Sequence, residues 1–346
     1  MTRRRIWLND LAWVPNMSSI KSIARDLGVS TATVSNALSG KGRVSDELAR
    51  RIREHAGKVG YHPSPAARAL KTGRSGILGL VMPNLTNPLF PRLAHNIEAA
   101  ADSRGFGVLI ADSRSDAAGQ AAAIERLVRR GVDGIVIVPH RGTRVTETDV
   151  PLAVINAASD PANTVSADHR QGGRLAAGLL MDMGHRRFLL AGEDPRSEVQ
   201  QDRIAGAAEC LARRGGTGHR VCWTSEAAPD LLAALAGGVT AIVTSTDLLA
   251  LKLLSEAQTL DIAVPGRLSV IGFDNLPFGE HLRPSLSTIA PDVPEIAHRA
   301  LSYLDARLSG AAEIPPPSVV PMIAIQRDST GLPQERPVTD PARSVS

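Results

Sequence analysis

The sequence predicts a small all-α head followed by a larger α/β body of two parallel-sheet lobes. Three observations carry that expectation. Short helical periodicities punctuated by glycine fill residues 20–73, strand-like apolar runs alternate with helical stretches from Gly76 onward, and charge is divided unevenly between the two regions. Residues 1–75 contain 14 Lys/Arg against 5 Asp/Glu, whereas the rest of the 346-residue chain holds 25 against 30. A basic head on a mildly acidic body is the electrostatic outline of a nucleic-acid binder.

In the head, Ile20, Ile23, Ala24 and Leu27 fall on one helical face, and Gly28 can end that helix with a positive φ. Ser30 is placed to cap a second helix, Thr31–Leu38, whose inward residues are Val34, Ala37 and Leu38. Ser45 starts a third, with Ala49, Ile52, Ala56 and Val59 turned inward and Gly60 at its end. Ser64 and Pro65 then open a very short helical segment, Ala66–Lys71, stopped by Gly73. Helix, tight turn and second helix form the helix-turn-helix pattern, in which the second helix enters the major groove by its N-terminal end. Thr31, Ala32 and Asn36 share the face opposite Val34 and Leu38. Threonine can bond a base or phosphate, alanine can touch a thymine methyl and asparagine can pair with adenine. Ser30, Thr33 and Ser35 are better placed for phosphates or capping.

In the body, apolar runs recur at 77–82, 107–111, 134–138, 152–155, 188–191, 241–244 and 268–273. Helical stretches such as Arg92–Arg104, Gly119–Arg130 and Gly172–Met183 separate them. Continuous apolar strands alternating with helices imply parallel sheets covered on both faces, and about 250 residues suit two such sheets better than one. Residues 329–346, rich in Pro, Ser and Arg, read as a disordered tail. The body carries no phosphate-binding glycine loop, no nucleophile elbow and no H-E-x-x-H pair, so it reads as a binder, with no catalytic residue. Cys210 and Cys222 match no metal-ligand spacing, and no metal or cofactor is expected. No apolar run reaches the ~18 residues of a spanning helix, so no membrane partner is expected. The opening MTRRRIWLNDLAWV starts like a signal peptide, but Asn9 and Asp10 interrupt its apolar stretch. With only two thiols, a cytoplasmic protein is expected.

The run Ile20–Leu38 matches I-x-x-I-A-x-x-x-G-V-S-x-x-T-V-S-x-x-L and is followed by Val44–Ser45, Gly60–Tyr61–His62–Pro63 and Ala67–Arg68–Ala69–Leu70. It resembles the head of the LacI/GalR family of transcription regulators. The resemblance continues through Gly79–Pro83, Asn87–Pro88, Gly131–Gly134, Gly184–Arg187 and Ser269–Asn275, covering about residues 18–328 in order. It implies a homodimeric regulator, most often a repressor, with a periplasmic-binding-protein-like core, a double-stranded DNA operator and a small-molecule effector. The implied divisions are an extension at 1–17, a DNA-binding domain at 18–63, a hinge at 64–75 and a core at 76–328. Within the core, lobe 1 would be about 76–160 plus 293–318 and lobe 2 about 161–290 plus 319–328.

By the resemblance, Thr31, Ala32 and Asn36 would read bases, Asn36 departing from the Arg often found there. Arg68 and Leu70 would lie in the hinge helix, Leu70 wedging into the minor groove as an apolar side chain can. Packing of Leu70 on the body is the alternative. A helix of six or seven residues is far below the ~12–15 needed for marginal stability in water, so the hinge is expected to fold only on DNA. Phe90, Arg203, Trp223, Asp247 and Asp274 would contact the effector, an aromatic face with Arg and Asp suiting a polyol. Phe90 also fits plain core, Arg203 a structural pairing with Asp202 or Glu209, and Asp247 a helix cap. Two readings of residues 1–16 stand: translation starting at Met17, or a basic arm whose Arg3–Arg5 adds phosphate contacts. A periplasmic-type solute-binding protein, a ligand-dependent activator and a sugar-active α/β enzyme are the competing functions.

Overall fold

The computed structural model describes residues 19–39, 42–61, 73–114, 116–145 and 148–333. They belong to two units that divide between Gly73 and Arg74. The expected N-terminal extension, the hinge residues Arg68 and Leu70, and residues 334–346 of the expected tail lie outside the described residues.

The head begins with α1 (Ile20–Leu27), where Ser19 and Ser22 cap reciprocally: Ser22 N donates to Ser19 Oγ at 3.1 Å and Ser19 N to Ser22 Oγ at 2.9 Å. Gly28, at φ 66°, ends the helix in the left-handed conformation that makes the turn tight. Helix α2 (Thr31–Ser39) follows, its first turn fixed by Thr33 N donating to Ser30 Oγ at 3.0 Å. Helix α3 (Asp46–Lys58) closes the unit. Ile23, Ala24, Val34, Ala37, Ala49, Ile52 and Ala56 are buried together, so the inward faces of all three helices meet as their periodicity predicts.

The body opens with β1 (Ile77–Met82), α4 (Leu89–Asp102), β2 (Gly107–Asp112), α5 (Ala117–Arg129), β3 (Gly134–Ile137) and β4 (Leu152–Val154). These strands form a parallel sheet in the order β2-β1-β3-β4, with Leu78 opposite both Val108 and Gly134. The chain then crosses through β5 (Val165–Ala167) into α6 (His169–Asp182), β6 (Arg187–Gly192), α7 (Glu198–Arg213), β7 (Gly218–Trp223), α8 (Leu231–Ala236), β8 (Ala241–Thr244), α9 (Asp247–Thr259), β9 (Ser269–Phe273) and β10 (Ser287–Pro291). It returns to the first lobe as α10 (Val293–Ser309), which packs on α4, and crosses once more between β11 (Ser318–Val320) and β12 (Met322–Ile325). The second sheet runs β12-β10-β9-β8-β6-β7, parallel except for β12, and β5 pairs with β11 near the crossings. Two parallel-sheet lobes are therefore present, as the strand-helix rhythm predicts.

The end of the second lobe differs from expectation. Val270 N donates to Ser329 O and Ser329 N to Ser285 O, both at 2.8 Å, and Gly331 N donates to Ser269 Oγ at 3.0 Å. Ser329 is fully buried. Residues 329–331 thus belong to the folded lobe and not to a tail beginning at 329. Their polar side chains look solvent-exposed in the sequence but satisfy buried backbone, as when Ser287 N donates to Ser329 Oγ at 2.9 Å.

Helices α6 and α7 touch backbone to backbone. A Cβ on Gly173 would lie 2.0 Å from the Arg203 carbonyl oxygen, and one on Gly206 would lie 1.9 Å from that of Arg170. This crossing sets the position of α7, which carries Arg203 toward the space between the lobes. Gly206→Ala is expected to lower stability by about 1–3 kcal/mol through overpacking. Gly178→Ala meets only the Arg214 and Cys210 side chains, at 3.5 and 3.8 Å, and is expected to be neutral or stabilising by up to ~1 kcal/mol. Urea unfolding of the two variants checks this; equal midpoints would show that the crossing is not tight.

Candidate functional site

A cavity of about 370 Å³ lies between the lobes. Its walls include the loops after β1, β3, β4, β6, β8 and β9, the strand ends where open α/β sheets bind ligands. Leu89, Phe90, Val138 and Ile296 supply apolar surface, while Asn156, Glu198, Gln200 and Asp274 supply polar atoms.

Arg203 and Asp274 meet at the wall of this cleft. Arg203 Nη2 donates to Asp274 Oδ1 at 2.8 Å, with 4% of Arg203 and 2% of Asp274 exposed. The guanidinium also donates to Ser245 O at 2.6 Å and to His169 Nδ1 at 3.3 Å, and its centre lies 4.7 Å from the Phe273 ring centroid. A buried charge needs this enclosure by acceptors and a π face, because each ion loses its hydration. Burial, then the neighbouring Arg203 charge, holds the His169 pKa well below its ordinary value, so a neutral ring accepts at Nδ1.

Asp274 ends β9 in a turn where it and Asn275 have φ of 100° and 50°. Non-glycine residues adopt such angles at a cost, which surrounding bonds must offset. Asp247 supplies them: Leu276 N donates to its Oδ2 and Thr288 Oγ1 to its Oδ1, both at 2.7 Å. Gly272 leaves room for this carboxylate, since a Cβ there would lie 2.1 Å from Asp247 Oδ1. Burial first, and the Asp274 charge second, push the Asp247 pKa up to about 7.

Three of the five expected effector residues, Phe90, Arg203 and Asp274, therefore line the cleft; Phe90 also packs against the apolar core. The other two do not. Asp247 is buried behind the Asp274 turn, and the cap of α9 is Thr246, whose Oγ1 accepts from Leu249 N at 3.1 Å. Trp223 ends β7 at the sheet's edge and lies over Gly192, where a Cβ would be 2.1 Å from its ring. Arg203 pairs with Asp274 and not with Asp202 or Glu209, which instead meet Arg170. The sequence reading did not single out Asn156, His169, Glu198, Gln200 or Thr246. Only Thr246, beside the expected contact Asp247, carried a local signal.

The remaining polar groups of the cleft are largely engaged. Gln200 Oε1 accepts from Glu193 N at 2.8 Å, Asp194 N at 3.2 Å and Ser245 Oγ at 3.0 Å. Arg141 pairs with Glu193 at 3.3 Å and Arg196 with Asp194 at 2.8 Å. Glu198 accepts from Asn156 Nδ2 at 3.2 Å and makes no salt bridge among the described residues. Burial, and then Asp160 and Asp202, raise its pKa. Among the described residues no cluster of His, Cys, Asp or Glu is placed to hold a metal ion.

In the head, Thr31 and Ala32 are exposed at the start of α2, while Thr33, Ser35 and Asn36 are half-buried. Ser30 is occupied as the cap, its hydroxyl also 2.8 Å from that of Thr33. The Asn36 side chain packs against the Gly42 backbone, where a Cβ would lie 2.9 Å from its Nδ2.

Residues 19–64 match the model of bacterial regulatory proteins of the lacI family, and residues 177–330 match that of the periplasmic binding protein-like domain. The HTH-type transcriptional regulator in the aml 5′ region of Streptomyces limosus is 31% identical over 314 residues, covering 84% of this chain and 88% of that protein. The chain belongs to the LacI family. The HTH-type transcriptional regulator DegA of Bacillus subtilis is 30% identical over 298 residues, covering 81% of this chain and 88% of DegA. The lac repressor dimer bound to operator and the anti-inducer ONPF has the same fold, with a TM-score of 0.75 at 21% identity over 90% of this chain and 99% of that one. As a LacI-family member, the protein is a DNA-binding transcriptional regulator with a periplasmic-binding-protein-like core.

Asp247, behind the cleft, and His169, in its wall, act oppositely on stability. The folded pKa of Asp247 lies above the ~3.9 of an unfolded Asp, so its favourable contribution is full below about pH 4 and is lost as pH rises to about 7. The lowered pKa of His169 contributes fully above about pH 6.5 and loses that contribution as pH falls. Asp247→Asn removes the first titration alone. Its stability relative to the natural protein is expected to rise between pH 5 and pH 8 in urea unfolding; a pH-independent difference would contradict the role of burial at Asp247.

Proposed function

We propose that the protein is a homodimeric repressor that binds a pseudo-palindromic double-stranded operator through α2 and responds to an uncharged polyhydroxy effector held between the lobes. The observation that carries this reading is the joining, in one chain, of a helix-turn-helix head to a cleft walled by the buried Arg203–Asp274 pair. Thr31, Ala32 and Asn36 would meet base edges; Ser30, Thr33 and Ser35 would support the helix start and phosphate contacts; Arg68 and Leu70 would complete the interface from the hinge. A DNA partner supports work in the cytoplasm.

The balance of charge supports an uncharged effector. Arg141 and Arg203 already face carboxylates, while Glu198 lines the cleft with no salt bridge among the described residues, only the more distant Arg144 charge acting on it. A phosphorylated ligand would meet spent cations and an opposing carboxylate, whereas hydroxyls can use Asp274, Asn156 and Gln200 against the Phe90 face. Binding without turnover is the proposed role of these groups.

Selection of genomic fragments by the purified protein near physiological salt tests the reading, because non-specific charge binding is weakened there. Enrichment of a short pseudo-palindrome is expected, and binding that shows no sequence preference would overturn it. Asn36→Ala is expected to lower affinity for the selected site roughly 10-fold or more while leaving non-specific binding unchanged. Asp274→Ala is expected to retain operator binding but lose the response to whichever sugar or nucleoside alters it. An unchanged response would remove Asp274 from the effector site.

A further inference from the structure

The Asp274–Leu276 turn is held by both lobes, in a divided way. Its N–H groups are satisfied within lobe 2: Asp274 N donates to Ile289 O at 2.9 Å, Asn275 N to Thr288 Oγ1 at 3.2 Å and Leu276 N to Asp247 Oδ2 at 2.7 Å. Two of its carbonyls are satisfied from lobe 1. Arg92 Nη1, from α4, donates to Asn275 O at 3.0 Å and to Asp274 O at 3.3 Å. The left-handed φ values at 274 and 275 bring both oxygens within reach of this one nitrogen. Arg92 is half-buried and absent from the cleft lining, so it does not face a ligand directly.

We propose that Arg92 is a positioning residue that latches lobe 1 to the Asp274 turn, so that any contact made by Asp274 in the cleft is passed to the spacing of the lobes. The proposal rests on the cleft being the effector site. Asp274 presents its carboxylate to the cleft wall and its carbonyl to Arg92, and displacement of one moves the other through a single residue held rigidly by Asp247. A charged donor serving the carbonyls of buried Asp274 and half-buried Asn275 is worth more than an exposed ion pair. Asn156–Glu198 and Ser159–Asp202 also join the lobes, through single hydrogen bonds of 3.2 and 3.0 Å, and the ionic link Arg141–Glu193 is such an exposed pair, with 39% of the Arg141 side chain exposed. The latch is made of protein atoms alone, so part of lobe closure is encoded in the chain.

The test is the distance between the lobes in the full-length protein without DNA. Spin labels at Ala122→Cys on α5 and Gln258→Cys on α9, both exposed, report it in a Cys222→Ser background, with Cys210 left buried. Doubly labelled chains are mixed with excess unlabelled protein so that only distances within one chain register. Arg92→Ala is expected to shift the distribution to longer distances, Arg92→Lys to fall between, and Arg141→Ala to move it less than Arg92→Ala. Distributions unchanged in both folded Arg92 variants would overturn the latch. So would an effect of Arg141→Ala equal to that of Arg92→Ala. Because no operator or effector is present, failure here is separable from failure of the operator selection.

Discussion

The pairing of Arg203 with Asp274 places two opposite charges where water hardly reaches, and much of the second lobe is arranged to make that tolerable. Removing two such ions from water costs several kcal/mol each, so mutual attraction alone does not sustain the pair. Arg203 therefore also meets Ser245 O, His169 Nδ1 and the Phe273 ring. Each neighbour constrains something else. His169 is neutral, Ser245 is tied to Gln200, and Gln200 fixes the backbone at Glu193 and Asp194. The glycine-mediated crossing of α6 and α7 delivers the arginine, and the end of β9 delivers the aspartate.

Around that pair the Asp274 turn is bonded within lobe 2 through Asp247 and Thr288, and to lobe 1 through Arg92. Asp247, Thr288 and the room left by Gly272 hold the Asp274 turn in angles that an isolated chain would seldom adopt. A regulator needs such a combination, because a ligand shifts an equilibrium only by binding two arrangements unequally. A rigid turn that faces the ligand on one side and the opposite lobe on the other makes unequal binding a matter of lobe spacing. The head has a different requirement. Its three helices share one small apolar cluster of their own, Ile23, Val34 and Ile52 among it.

The sequence disclosed the parts whose signal is local and periodic. The head's buried faces were legible from i, i+3 and i+4 spacing, and Ser30 and Gly28 marked the turn. The interior strands β1, β3, β6, β8 and β9 were legible because both of their faces are apolar. Strand β7 was not, since Gly218–Trp223 is a half-exposed edge that mixes His and Arg with Val and Cys. Strand β10 was not either, because Ser287 and Thr288 are buried for their hydroxyls. In the site, Asp274 could be placed at a strand end, but its partner could not, as Asp202 and Glu209 are nearer to Arg203 in sequence and Asp274 is nearer only in space. Asp247 and Trp223 carried the residue types of ligand contacts, yet one supports the turn from behind and the other covers a glycine. Glu198, Gln200 and His169 gave no motif because their roles come from crossings between distant segments.

A double-mutant cycle on the buried pair tests the central claim most directly. Arg203→Met and Asp274→Asn, singly and together, would be compared by urea unfolding at pH 8. If the pair is one unit, the stabilities are strongly non-additive: each single change costs roughly 3–5 kcal/mol by leaving a buried group unpaired, and the double variant costs at least ~2 kcal/mol less than their sum. Additive single effects would mean that the two side chains act independently, and that the cleft is organised by something other than their pairing.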